Sequence, residues 1–204
     1  LPCYAALDLS STTDLSALVL AFPIGPTVHL LPFFWIPGDG MERRVRRDRV
    51  PVDTWVAKGL VEATSGPVID YDVIRTRINE LAERYEIREI AIDRWNATQL
   101  STQLAGDGFT VYPFGQGFAS MAAPCQEFEK RVIGKTLNHG GNAVLRWMAS
   151  NVTVEIDAAG NMKPSKAKST ERIDGIVASI MALGRVIASQ ETEAPFARGE
   201  FVFV

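Results

Sequence analysis

The chain has 204 residues, of which 47% are hydrophobic and 22% are charged, and its formal net charge at pH 7 is −3. These values are ordinary for a soluble globular protein with one full core, and no segment resembles a membrane span or a signal peptide. Two cysteines are too few for a disulfide framework or a zinc site, which favours a reducing cytosol.

The first third of the chain predicts an antiparallel meander. Apolar stretches at residues 3–7, 17–23 and 27–34 are separated by short turns, one of which contains Gly25 and Pro26. Residues 41–51 are polar and arginine-rich, which predicts a loop or a short exposed helix. Residues 52–70 contain scattered apolar side chains and predict an ordered connection.

The middle of the chain alternates between helical and strand periodicity. A helix is predicted from residue 72 with Asp70 or Asp72 as its N-cap, and a second helix at residues 96–105. Strands are predicted at residues 87–93 and 110–114. This β-α-β-α-β order predicts parallel strands joined by crossover helices.

The last part of the chain predicts mostly helices. They cover residues 121–133, 143–148 and 171–189, with a strand at 151–156 and a polar segment at 163–169. The final helix has an apolar stripe, and Asp174 lies beside that stripe in its first turn. Residues 190–204 are expected to form a mobile tail.

Three aspartates stand within otherwise apolar elements. Asp8 ends the first strand, Asp93 ends the strand at 87–93, and Asp174 begins the final helix. Three carboxylates on rigid elements suit Mg²⁺, which prefers oxygen ligands. Two such ions, roughly 3.5–4 Å apart, would activate a water and stabilise the leaving oxygen in phosphodiester hydrolysis.

Each of these aspartates also has a simpler explanation. An aspartate at a strand end is commonly a turn residue, Asp93 could cap the next helix, and Asp174 could complement a helix N-terminus. From the residue spacing alone, the structural and metal-binding explanations both remain open.

Several motifs resemble the nuclease domain of the large terminase subunit of tailed bacteriophages. They are Leu7-Asp8-Leu9-Ser10-Ser11-Thr12-Thr13-Asp14, Ala91-Ile92-Asp93-Arg94-Trp95-Asn96, Gly115-Gln116-Gly117-Phe118, Trp147-Met148-Ala149-Ser150-Asn151 and Arg172-Ile173-Asp174-Gly175-Ile176. The resemblance covers nearly the whole chain and implies an RNase H-like α/β fold, in which helices flank a mixed five-stranded sheet. It further implies a nuclease domain at residues 1–189, a tail at 190–204 and an ATPase motor domain that is absent here. The chain has no G-x-x-x-x-G-K-[ST] phosphate loop.

The resemblance also implies the site residues. Asp8, Asp93 and Asp174 would be catalytic and would bind two ions of Mg²⁺ or Mn²⁺, with Asp14 as a further metal ligand. Some relatives have a second acid directly after the third aspartate, whereas here Gly175 follows it. The second metal would then depend on water, Asp14 or substrate.

Two basic segments are candidates for DNA contact. One contains Arg43, Arg44, Arg46, Arg47 and Arg49, and the other contains Lys163, Lys166 and Lys168. The arginines could equally form a solvated loop or dock the motor domain. The lysines precede Asp174 and are expected to contact phosphates, Lys166 and Lys168 above all.

The resulting prediction is a metal-dependent endonuclease that cuts double-stranded DNA during viral genome packaging in the cytoplasm of an infected bacterium. The motor domain, the small terminase subunit and the portal are the expected partners, with no membrane association. Two alternatives remain open. One is another RNase H-like nuclease, such as a junction resolvase or a hybrid nuclease, and the other is a catalytically idle module that grips DNA or the portal.

Overall fold

The computed structural model describes residues 1–9, 15–41, 45, 50–93 and 98–197, with the side chains of 191–197 left out. Nine strands lie in these parts of the chain: β1 Pro2–Asp8, β2 Ser16–Ile24, β3 Thr27–Pro37, β4 Glu62–Thr64, β5 Glu86–Asp93, β6 Val111–Phe114, β7 Leu137–Asn138, β8 Val154–Ile156 and β9 Met162–Pro164. The described helices are α1 Val52–Ala57, α2 Tyr71–Ala82, α3 Thr98–Gly106, α4 Phe118–Ile133, α5 Ala143–Asn151 and α6 Asp174–Ala197.

Seven strands form one mixed sheet in the order β4-β3-β2-β1-β5-β6, with β7 also paired to β3. The β1–β2 and β2–β3 pairs are antiparallel, as the meander predicts, whereas β1–β5 and β5–β6 are parallel. Strands β8 and β9 form a separate antiparallel pair. The predicted mixed α/β architecture with flanking helices is therefore confirmed.

The strand count differs from the prediction, because the sheet has seven strands rather than five. The two additional strands are short parallel segments on the outer side of β3. Strand β4 pairs with Trp35–Pro37, and β7 pairs with Val28 and His29 at the other end. Within the described chain, no strand pairs with residues 30–34 on that side.

Each face of the sheet carries its own apolar core because side chains alternate along the strands. On β1, Tyr4 and Ala6 belong to the core shared with α4, α5 and α6, whereas Cys3, Ala5 and Leu7 pack with α2 and α3. The sheet is therefore the middle layer of three. Both faces of β1 are buried, which explains why its sequence is almost continuously apolar.

Several predicted boundaries shift once the chain is folded. Residues 52–70 contain α1 and β4, so this connection is more regular than predicted. Helix α2 begins at Tyr71, and Asp70 is its N-cap because the Asp70 side chain accepts a hydrogen bond from the Asp72 N–H at 2.9 Å. Helix α6 continues to Ala197, so the predicted tail boundary at residue 190 falls inside a helix.

The final helix is the longest of the described elements and lies against the middle of the sheet. It packs on β1 and β2, and Ile176, Val177 and Ile180 contribute to the core between them. None of the described helices has the length and apolarity needed to span a bilayer.

Candidate metal centre

Two of the predicted metal ligands lie at the same edge of the sheet. Asp8 is the last residue of β1, Asp93 is the last residue of β5, and the parallel register pairs Leu7 with Ile92 just before them. Neighbouring strands are about 4.8 Å apart, so Leu7 and Ile92 lie side by side, and the next residue on each strand is one of the two aspartates. Ala6 and Ala91, each two residues earlier, face the α6 side of the sheet. The two-residue period therefore places Asp8 and Asp93 on that same face.

Asp174 reaches this edge from a different element. It is the first residue of α6, which packs on β1, and the residue is 6% exposed. Asp8 is 1% exposed. Two carboxyl groups that are far apart in the sequence are thus buried at one place. Burying two negative charges together is strongly unfavourable unless a cation compensates them.

Lys166 supplies a positive charge between the two carboxylates. Its Nζ atom lies 2.9 Å from Oδ1 and 2.7 Å from Oδ2 of Asp8, and 2.8 Å from Oδ1 of Asp174. Lys166 follows β9 closely, so the small β8–β9 sheet positions it beside the main sheet.

Gln116 provides a second contact to Asp8. It lies two residues beyond the end of β6, and its Nε2 atom donates a hydrogen bond to Asp8 Oδ1 at 3.0 Å. The same nitrogen is 3.8 Å from the sulfur of Met181 on α6. Gln116 and Lys166 also line one cleft of about 270 Å³. The orientation of Asp8 is therefore fixed by a neutral donor as well as a charged one.

These surroundings perturb the pKa values of the site. Burial is the strongest influence on Asp8 and raises its pKa to about 7; the charge of Asp174 acts in the same direction, while Lys166 and Gln116 oppose it. Burial lowers the pKa of Lys166, but the charges of Asp8 and Asp174 and their hydrogen bonds outweigh it and raise that pKa overall.

The donor set at this edge suits a hard divalent cation. Carboxylate oxygens are the ligands that Mg²⁺ prefers, and Asp8 Oδ2 is buried and accepts no hydrogen bond, although the Lys166 ammonium is close to it. The described residues contain no group of three or more His, Cys, Asp or Glu side chains already placed around one ion. The structure therefore joins Asp8 with Asp174, and the participation of Asp93 stays a prediction.

The remaining predicted site residues divide into two groups. Asp14 and the arginines Arg43, Arg44, Arg46, Arg47 and Arg49 lie outside the described residues. Lys163 and Lys168 both form ion pairs with Glu155 on β8, at 3.3 and 2.9 Å. Their ammonium groups lie beside the β8–β9 sheet, and their predicted contact with DNA stays a prediction.

Gly175 packs into the core rather than into the cleft. Its N–H lies 3.1 Å from the sulfur of Met148, and a side chain at this position would meet Phe34, Leu145 and Met148. An acid here would not reach the edge where Asp8 lies. The glycine is therefore explained by packing.

Residues 3–190 match the family model described as the terminase large subunit, endonuclease domain. The chain belongs to this family. The large terminase subunit of Enterobacteria phage HK97 is 39% identical over 184 residues, which cover 89% of this chain and 36% of that protein. This terminase nuclease chain thus spans about a third of the HK97 protein's length.

Solved structures agree with the family assignment. The crystal structure of the HK97 large terminase matches with a TM-score of 0.85 at 37% identity, over 90% of this chain and 39% of that one. The large terminase nuclease from thermophilic phage G20c with bound magnesium has a TM-score of 0.59 at 11% identity, over 90% and 81% of the two chains. A cobalt-bound structure of that nuclease matches similarly. The predicted resemblance and fold are confirmed.

No role was predicted for Gln116 from the sequence, and only a phosphate contact was predicted for Lys166. Gln116 belongs to the Gly115-Gln116-Gly117-Phe118 motif, which pointed to the family without indicating a contact. Its position just after a strand at the same edge as Asp8 and Asp93 was the available signal. The Lys166 contact with Asp8 joins residues 158 positions apart, which no local pattern reveals.

Proposed function

We propose that this terminase nuclease domain is a divalent-metal-dependent endonuclease that hydrolyses phosphodiester bonds of double-stranded DNA during viral genome packaging. The observation that carries the proposal is the burial of Asp8 and Asp174 together at the carboxyl edge of the sheet, around a shared positive charge. Membership of the terminase endonuclease family supports the same chemistry.

In this proposal Asp8, Asp93 and Asp174 hold the ions, Mg²⁺ or Mn²⁺, with two ions expected. When bound, such ions lower the pKa of water and neutralise charge on a phosphoryl group. Asp8 and Asp174 supply oxygens from two rigid elements, which fixes their separation. Gln116 holds Asp8 in one rotamer through its hydrogen bond to Oδ1.

In this proposal the basic residues bind the DNA substrate. Lys163, Lys168 and the arginines between 43 and 49 contact the phosphate backbone, which gives affinity that falls with salt and is independent of sequence. The full-length protein adds an ATPase motor domain to this chain and works with a small subunit and the portal. Packaging takes place in the cytoplasm of the infected bacterium.

A plasmid assay tests the proposal. Supercoiled DNA should be nicked and linearised in Mg²⁺ or Mn²⁺, and chelator should stop the reaction. Asp93→Ala and Asp8→Asn should each lower the rate at least about a hundredfold, because either change removes a negatively charged metal ligand. Undiminished cleavage by purified Asp93→Ala protein would refute the assignment.

Asp72→Asn is a matched control for these variants. Asp72 is exposed on α2, whose buried residues pack against the opposite face of the sheet, and the change removes the same charge. Its cleavage rate should equal that of the unaltered protein. Comparing linear duplex, a four-way junction and an RNA–DNA hybrid then tests the substrate; preference for the junction or the hybrid would contradict the packaging role.

A second candidate is a catalytically idle module that binds DNA or the portal. It is favoured by one observation, that the described residues contain no ready cluster of three metal-ligating side chains. Calorimetry with Mn²⁺ separates the two. Metal-independent DNA binding with no detectable Mn²⁺ binding would support the idle module and contradict the nuclease.

A further inference from the structure

The ammonium group of Lys166 stands where three carboxylate oxygens converge. It touches both oxygens of Asp8, at 2.9 and 2.7 Å, and Oδ1 of Asp174 at 2.8 Å. A lysine ammonium has N–H donors and no acceptor, and it donates hydrogen bonds to Oδ1 of Asp8 and Oδ1 of Asp174, while Oδ2 of Asp8 is close to its charge. The ammonium thus places one positive charge against the buried pair of carboxyl groups.

A divalent ion between Asp8 and Asp174 would need the same oxygens. Mg²⁺ binds carboxylate oxygen at about 2.0–2.1 Å, so an ion held by these atoms would lie within contact distance of the ammonium. Two cations this close repel strongly where the surroundings are partly desolvated. Both cannot occupy the space between Asp8 and Asp174.

The Lys166 side chain can move out of the site, whereas the two carboxyl groups are held in place by burial. Its side chain is 44% exposed, compared with 2% for Asp8 and 8% for Asp174. Lys166 also lies between β9 and α6 rather than inside either element. A rotation of its flexible four-carbon stem would therefore move the charge into solvent without disturbing the sheet.

We propose that Lys166 is a built-in competitor for the metal: a divalent ion enters between Asp8 and Asp174 only by displacing its ammonium group. This inference rests on the proposed metal role of the two aspartates and adds a residue that sets the affinity for the ion. Because the displaced ammonium stays tethered beside the site, Lys166 then becomes available for its predicted phosphate contact. Metal loading and substrate contact are coupled through one side chain.

Calorimetry with Mn²⁺ alone measures the competition. Lys166→Met keeps most of the stem and removes the charge, so it should bind Mn²⁺ at least about tenfold more tightly than the unaltered protein. Lys168→Met is the matched control, because Lys168 lies two residues further on and pairs with Glu155 instead. Its Mn²⁺ affinity should change by less than about threefold, as expected for a more distant charge.

Equal Mn²⁺ affinity in Lys166→Met and the unaltered protein would overturn the inference, as would an equal gain in Lys168→Met. Absence of Mn²⁺ binding to either protein would overturn it as well. Lys166→Arg gives a further check, since it retains the positive charge and should not tighten Mn²⁺ binding.

A second measurement needs no variant. Acetylation of lysines in the unaltered protein, quantified by mass spectrometry, should rise several-fold at Lys166 when Mn²⁺ saturates the site. Lys168 in the same digest serves as the internal reference and should not change. Unchanged labelling of Lys166 at a saturating Mn²⁺ concentration would overturn the displacement.

The failure of this inference is distinguishable from failure of the proposed function. If the plasmid is cut in a metal-dependent and Asp93-dependent way while Lys166→Met binds Mn²⁺ like the unaltered protein, only the competition is wrong. If Lys166→Met gains affinity but no protein cleaves DNA, the competition stands and the proposed activity fails.

Discussion

A Cβ atom on Gly175 would lie 2.7 Å from Cε1 of Phe34, closer than real carbon contacts permit. It would also lie 2.9 Å from Leu145 Cδ1 and from Met148 Sδ. Because Gly175 has no side chain, its backbone packs directly against β3 and α5. The start of α6, and with it the position of Asp174, depends on this close packing.

Gly175→Ala should consequently destabilise the domain, although alanine favours helices. Overpacking costs about 1–3 kcal/mol, against a helix-propensity gain of about 1 kcal/mol. We expect a net loss of up to about 2 kcal/mol in urea unfolding. Gly106→Ala in α3 has open space at its Cβ and should be neutral or slightly stabilising. Equal stability of both variants would contradict the packing argument.

Gly175→Asp should fail to create an additional metal ligand. The new carboxylate would be directed among Phe34, Leu145 and Met148, where an unpaired charge is strongly unfavourable. We expect a lower melting temperature than for Gly175→Ala and no added Mn²⁺ in calorimetry. An extra bound ion in a folded Gly175→Asp protein would show that the side chain reaches the cleft.

Gln116→Ala should weaken metal-dependent cleavage through Asp8. Loss of the 3.0 Å hydrogen bond frees the Asp8 carboxylate to rotate, and changes in groups that orient metal ligands typically cost about 10–100-fold. The Mn²⁺ concentration for half-maximal cleavage should rise, while the melting temperature in chelator changes little. Gln99→Ala, at an exposed position in α3, should behave like the unaltered protein. An unchanged Mn²⁺ requirement in Gln116→Ala would exclude this positioning role.

Asp8→Asn should affect metal-free stability in a pH-dependent way. Burial raises the pKa of Asp8 to about 7, so the folded state holds a proton that the unfolded state releases near pH 4. The contribution of Asp8 to stability is therefore fully present below about pH 4 and is lost as the pH rises towards about 7. Asparagine has no such loss.

Urea unfolding in the presence of chelator at several pH values tests the direction of this pH dependence. The stability of Asp8→Asn relative to the unaltered protein should increase from pH 4 to pH 7 and then level off. The variant should be inactive over the whole range. A relative stability that decreases with pH would show that the Asp8 carboxylate is favoured in its charged form by Lys166.

Asp107 is perturbed in the opposite direction. A hydrogen bond from Arg75 Nε at 2.6 Å is the largest cause, with Asn79 second, and together they lower the pKa of Asp107 to about 2. The pair ties the end of α3 to α2. Its contribution is present above about pH 4 and is lost as the pH falls towards about 2.

Asp107→Asn should accordingly lower the melting temperature slightly at pH 7, and the difference should shrink as the pH falls below 4. The effect is small because Arg75 is partly exposed. Asp39→Asn removes an exposed carboxylate elsewhere and should have no effect at either pH. A pH-independent difference for Asp107→Asn would argue against the ion pair.

The sequence predicted the parts of the fold that have a clear period. The five predicted strands of the sheet are its five longest, because alternation and turn residues are visible over four or more positions. Strands β4 and β7 have three and two residues, too few to show a period, and they form only because β3 offers a free edge.

The site likewise has features that show in the local sequence and features that depend on packing. Asp8, Asp93 and Asp174 stand out in the sequence because an acid at the end of an apolar strand or the start of an apolar helix is locally unusual. Their role as metal ligands was implied by the family resemblance and stays a prediction. The Lys166 bridge and the Gln116 hydrogen bond depend on how separate elements pack; the position of Gln116 just after a strand indicates its place at this edge, but no local pattern indicates its partner.

The outer side of β3 has a consequence for the behaviour of the isolated domain. Strands β4 and β7 occupy its two ends, and residues 30–34 between them include Pro32, which has no N–H to offer. A β-strand from another molecule would find only a short and interrupted row of hydrogen-bonding groups there. Such interrupted edges resist intermolecular strand addition and aggregation.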